Sequence, residues 1–179
     1  MGVPVLTLQM TMGEALRRIT GDRPEQEALV CGSSRLTYGQ LQERVEQAAA
    51  WLAETGVGKG DRVALWLPPS IPFVTLFFAI AERGAVAVPM DPVALPHRLA
   101  YVVEQTAPRL LIAHRPLPAE VEEALPEGAT PLVTEDEQGA QFLTSASGTP
   151  VPVDVAPEDL LAILYTSGTT GVPKGAMHT

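Results

Sequence analysis

The sequence predicts an α/β fold: a mainly parallel sheet with helices on both faces. Three observations predict it. Short apolar runs alternate with segments whose apolar residues recur at helical spacing. Those runs are unbroken rather than alternating, as strands buried on both faces are. Glycines and prolines fall between the segments, where turns belong. The chain has 179 residues, 46% of them apolar, enough for about one domain with a real core.

The elements follow in order. Residues 27–38 read as a hairpin turning at Gly32-Ser33-Ser34. From 38 to 134 helices and strands alternate. Thr37 caps a helix running to about residue 55, with Gln40 at the capping-box position. Its apolar residues Leu41, Val45, Ala48, Ala49 and Leu52 share a face, and Gly56 stops it. Residues 62–67, closed by Pro68-Pro69, form a buried strand. Ser70 caps the next helix, where Pro72 is tolerated in the first turn. Phe73, Val74, Leu76, Phe77, Phe78 and Ile80 surround that helix, which predicts deep burial before Gly84 ends it. A strand at 85–90, a helix at 96–106 with Leu99, Val102 and Val103 inward, and a strand at 109–113 continue the pattern. A short helix at 119–125 and a weak strand at 130–134 complete it. Residues 142–159 are a Ser-, Thr- and Pro-rich loop, and 160–175 a last strand followed by a hydroxyl- and glycine-rich turn.

Charge narrows the function. Twelve bases against 21 acids give −9, which disfavours binding nucleic acid through its phosphates. Residues 1–115 balance, whereas 116–179 carry ten acids and one base, Lys174. The acidic run at Glu120, Glu122, Glu123, Glu127, Glu135, Asp136 and Glu137 reads as solvated surface. No apolar stretch approaches the ~18 residues of a membrane span. The first twelve residues lack the marks of a leader, and with a single cysteine the expectation is a cytoplasmic protein. Cys31 is expected to be a small buried hydrophobe. His97, His114 and His178 have no metal-ligand spacing and read as surface residues.

The chemistry is expected after Tyr165. There Thr166, Ser167, Gly168, Thr169, Thr170, Gly171, Val172, Pro173, Lys174 and Gly175 follow directly on an apolar strand. Glycines let backbone N–H groups close on an anion, hydroxyls add donors, and a lysine supplies a point charge. In a sheet of this kind ligands sit beyond the carboxyl ends of the strands. The segment is not the common P-loop: position 173 is Pro173, and Gly175 rather than a hydroxyl follows Lys174. By composition alone a plain loop explains these residues as well. The other glycine cluster, Gly56 to Gly60, precedes a strand and reads as a turn.

The order of residues 165–175 resembles the phosphate-binding loop of the adenylate-forming (AMP-binding) enzymes: acyl-CoA synthetases, peptide-synthetase adenylation domains and luciferases. Leu36-Thr37-Tyr38-Gly39-Gln40-Leu41 and residues 84–92 resemble two earlier motifs of that superfamily, and residues 60–68 are also similar. The Thr169-Thr170 pair looks most like the acyl-CoA synthetase (long-chain fatty acid–CoA ligase) form. The resemblance implies a ligase that joins a small-molecule carboxylic acid to ATP, with Mg²⁺, and passes the acyl group to coenzyme A. It implies that Thr166, Ser167, Gly168, Thr169, Thr170, Gly171 and Lys174 hold the nucleotide, with Thr170 facing the metal. The family's later motifs and its small C-terminal domain are absent from residues 1–179, so the expectation is an incomplete N-terminal domain with no complete catalytic set. Such a piece would expose apolar surface, which allows a homodimer or aggregation. Two alternatives stand beside this: a non-catalytic module for a phosphate ligand or partner, and a peptide-synthetase adenylation domain.

Overall fold

In the computed structural model, which describes residues 10–134, 152–166 and 173–179, hydroxyl side chains start the first three helices. Thr11 caps α1 (Met12–Asp22): its hydroxyl accepts from the Glu14 N–H, and the Glu14 carboxylate accepts from the Thr11 N–H. Those bonds hold the exposed Glu14 carboxyl below its ordinary pKa. Thr37 and Gln40 form the same reciprocal pair at the head of α2 (Tyr38–Glu54). Ser70 caps α3 (Ile71–Glu82), with Pro72 in the first turn, where its missing N–H has no bond to lose. Helices α4 (Pro96–Thr106) and α5 (Ala119–Ala124) begin without a side-chain cap. Helix α1 has no counterpart in the sequence reading; Arg17 on it grips Glu82 on α3 at 2.6 Å.

Strands β1 (Glu27–Cys31) and β2 (Ser34–Thr37) pair antiparallel as the expected hairpin. Cys31 is exposed rather than buried. It faces Ser34 at the tip of a two-stranded ribbon, where no described residue buries it.

The remaining strands are β3 (Arg62–Trp66), β4 (Val86–Pro89), β5 (Leu110–Ala113), β6 (Thr130–Val133), β7 (Ala162–Thr166) and β8 (Lys174–His178). They form one sheet in the order β6-β5-β3-β4-β7-β8, parallel throughout except for the antiparallel β7–β8 pair. The chain steps one way from β3 to β4 through α3, and the other way from β4 to β5 through α4. Right-handed crossovers in opposite directions place those helices on opposite faces. The core divides accordingly. Val63 and Leu65 of β3 pack with α1, α2 and α3, whereas Ala64 and Trp66 pack with α4 and α5.

Burial of α3 is less complete than its sequence predicts. Thr75, Leu76, Ala79, Ile80 and Ala81 are buried, but Phe73, Phe77 and Phe78 are half-buried, with the first two rings stacked at 6.5 Å. One flank of the helix meets the core, and the aromatic flank is not fully covered.

At the amino ends of the strands, Lys59 reaches across to the segment that leads into β7. Its ammonium lies 2.6 Å from Asp159 Oδ2 and donates to the Asp154 carbonyl at 2.8 Å. The Ala156 N–H donates to the same Asp159 oxygen at 2.7 Å. The Lys59 contact, then the Ala156 N–H, hold the Asp159 carboxyl below its ordinary value. The lysine stem crosses Gly84, which has φ 61°; a Cβ there would lie 3.1 Å from Lys59 Cγ and 3.2 Å from Val155 Cγ2.

Candidate nucleotide site at the carboxyl edge of the sheet

The loop after β3 leaves towards α3 and the loop after β4 towards α4, so their starts diverge at the carboxyl edge of the sheet. Such a divergence is where open α/β sheets hold ligands. Trp66, Met90, His114 and Thr166 stand at or just beyond the ends of four parallel strands here. Because β8 runs antiparallel, its first residue, Lys174, is at the same edge.

Two of the expected nucleotide-binding residues are thereby brought together. Thr166 ends β7, Lys174 starts β8, and the two are register partners. Directly paired residues project to the same face of a sheet. By alternation from Ala162 that face is the one carrying α3. Both residues are exposed. Residues 167–173 thus connect the strands of an antiparallel hairpin whose mouth is closed by a threonine and a lysine. Ser167, Gly168, Thr169, Thr170 and Gly171 lie outside the described residues. The sequence reading treats Lys174 and Gly175 as the tail of a loop; in the structure they open a strand that continues to His178.

The two lysines of the chain have different surroundings. Lys59 is engaged by Asp159 and the Asp154 carbonyl. Lys174 has no ion pair with a described residue. It is the single base of residues 116–179 and stands exposed at this edge.

Gly175 shows why the hairpin needs a glycine there. A Cβ at this position would lie 2.9 Å from Ile163 Cγ2 and 3.1 Å from the Tyr165 ring. Tyr165, the register partner of Gly175, lies across the bare backbone. The tyrosine packs on the α4 side of the sheet, where burial and then Tyr101 push its hydroxyl pKa up.

The neighbouring strand ends carry an aromatic and basic group. The Trp66 carbonyl bonds His114 Nδ1 at 2.7 Å, the two rings meet edge-on at 5.0 Å, and the Arg115 guanidinium lies 4.7 Å from the Trp66 ring centre. His114 is therefore half-buried and bonded, not the plain surface residue expected, while His97 and His178 are exposed. Among the described residues no group of three or more His, Cys, Asp or Glu side chains could hold a metal ion. Glu120, Glu122, Glu123 and Glu127 are exposed as expected. Among the described residues no helix is long and apolar enough to cross a membrane.

Two features of strands β7 and β8 and their approaches are not read from the sequence. The Lys59–Asp159 contact joins residues a hundred positions apart (59 and 159), and no local pattern announces it. The fit of Gly175 under Tyr165 has a faint signal, an aromatic and a glycine flanking one turn.

Known proteins resemble this chain in sequence and in fold. The AMP-binding enzyme family matches residues 16–179. The chain is 33% identical over 174 residues to the long-chain-fatty-acid–CoA ligase FadD13 of Mycobacterium tuberculosis, covering 94% of this chain and 35% of that protein. It is 34% identical over 167 residues to tyrocidine synthase 2 of Brevibacillus parabrevis, covering 93% of this chain and 4% of that one. The crystal structure of the inhibitor-bound N-terminal domain of FACL13 from Mycobacterium tuberculosis superposes with a TM-score of 0.82 at 32% identity, covering 95% of this chain and 44% of that one.

Proposed function

The chain belongs to the AMP-binding enzyme family, whose adenylate-forming members include ligases, and from that membership we propose that it forms the phosphate-gripping part of an ATP-dependent acyl-CoA synthetase. The observation that carries the reading is the pairing of Thr166 with Lys174 at the carboxyl edge. It closes a hydroxyl- and glycine-rich connection at its base and sets an ammonium group beside it. The chain spans about a third of the length of the ligase it matches, so the remaining catalytic groups belong to the rest of the protein.

The reaction has two steps. A carboxylate oxygen attacks the α-phosphorus of ATP, the bond from that phosphorus to the bridging oxygen breaks, and pyrophosphate leaves with its electron pair. The thiol of coenzyme A then displaces AMP from the acyl carbon. Negative charge grows on the departing pyrophosphate in the first step. Donors already fixed around the β- and γ-phosphates stabilise that charge without reorganising. In this reading Thr166, Ser167, Thr169 and Thr170 donate hydroxyls, Gly168 and Gly171 let backbone N–H groups approach, and Lys174 supplies the charge. In this reading Thr170, which lies outside the described residues, would face magnesium held chiefly by the phosphates, where the ion would neutralise charge on the departing pyrophosphate.

Relatives of both the CoA-ligase and peptide-synthetase kinds resemble this chain. The Thr169-Thr170 pair favours the first. The experiment is to supply the whole protein with ATP, coenzyme A and a panel of aliphatic and aromatic acids. Formation of an acyl-CoA is the expected result. Acyl-adenylate that accumulates whether or not coenzyme A is present, and that moves only to a carrier-protein thiol, would favour the peptide-synthetase reading.

A further inference from the structure

The hairpin that presents Thr166 and Lys174 stands at the margin of the sheet, joined to it through β7. Strand β3 shares four register pairs with β4 and four with β5, whereas β7 shares one with β4, Ala87 with Ala162. Among the described residues β8 pairs with β7 alone, and all five of its residues are exposed. Strand β7, through Ala162 in the core and Ile163 and Tyr165 on the other face, therefore carries the placement of the whole hairpin.

A further contact holds the other end of β7. One ammonium, that of Lys59, holds the Asp159 carboxylate and the Asp154 carbonyl, so both ends of the turn leading into β7 are fixed to the Gly58–Gly60 corner before β3. The Asp159 oxygen is also held by the Ala156 N–H. The lysine stem in turn packs on Gly84, where a side chain would intrude, and the Gly60 N–H donates to the Gly84 carbonyl at 2.8 Å. The corner before β3 and the corner before β4 are thus one unit, and Lys59 ties β7 to it.

We infer that Lys59, through Asp159, is a positioning residue for the nucleotide site: it sets where the β7–β8 hairpin stands and so where Thr166 and Lys174 meet the phosphates. The inference rests on the functional reading above. An isolated exposed ion pair contributes little to global stability. The clamp acts instead on the fraction of molecules whose hairpin is in place, and an apparent dissociation constant rises as that fraction falls.

The test uses the whole protein carrying Lys59→Met, Lys59→Arg or Asp159→Asn. Without nucleotide, Lys59→Met should speed hydrogen exchange of residues 162–166 and 174–178 by about tenfold, leaving β3 and β5 unchanged. With ATP, KM for ATP should rise by about tenfold, with kcat held within about twofold. Lys59→Arg should keep wild-type values, and Asp159→Asn should shift both readouts in the direction of Lys59→Met. Unchanged exchange in the hairpin would overturn the inference, as would faster exchange spread evenly over β3, β5 and β7. So would a KM for ATP that does not move. If the wild-type protein neither binds nor uses ATP, the functional reading fails, and hydrogen exchange alone decides whether Lys59 holds the hairpin.

Discussion

Replacing Lys174 with Ala in the whole protein should slow acid-dependent exchange of pyrophosphate into ATP by at least about tenfold. The expectation follows from position and charge. Lys174 stands at the carboxyl edge opposite Thr166 and forms no ion pair with a described residue. Pyrophosphate gains charge as it departs, so a fixed ammonium favours the transition state over the ground state. Removing one preorganised donor from comparable sites costs about 3–4 kcal/mol, or 10²–10³ in rate. Tenfold is the floor because Lys174 is exposed, and water weakens its charge until nucleotide covers it. Lys174→Arg should recover part of the rate, since the charge survives while its geometry changes. A Lys174→Ala protein that exchanges pyrophosphate at the wild-type rate would remove this lysine from the mechanism.

The largest effect on stability should come from Leu65→Ala. Leu65 is fully buried in the central strand β3, with Pro89 and Ile112 as register neighbours, facing the core under α2 and α3. Three strands and two helices fix its surroundings, so the space left behind cannot readily collapse. Buried Leu→Ala changes cost about 3–5 kcal/mol. For a domain of this size that lowers Tm by roughly 6–20 °C. Leu164→Ala is the control. Leu164 lies on the same sheet but is 37% exposed, and its loss should cost less than about 1 kcal/mol. Equal shifts in Tm for the two variants would contradict the placement of the core.

The sheet's interior is legible because local rules agree there. Strands β3, β4 and β5 are unbroken apolar runs between glycine and proline turns, and helices α2 and α3 start at hydroxyl caps. Helix α1 carries its own signals, a Thr11–Glu14 capping box and Met12, Leu16 and Ile19 at helical spacing, and a reading of the first residues for a leader alone does not use them. Strand β8 escapes because Lys-Gly-Ala-Met-His has no strand character of its own; pairing with β7 makes it a strand. Cys31 misleads because cysteine is usually buried, whereas exposure here depends on the tertiary position of a hairpin tip. At the candidate site the residue types are readable from order alone. What the order does not reveal is that Thr166 and Lys174 face each other across a hairpin, or that Lys59 secures that hairpin from the far end of the sheet.

The most direct measurement is hydrogen exchange of the whole protein with and without ATP, followed peptide by peptide. A triphosphate gripped by this hairpin predicts slower exchange across residues 166–175 when ATP is present. Protection that falls elsewhere in the protein, with residues 166–175 unchanged at saturating ATP, would contradict the assignment of this turn as the phosphate grip.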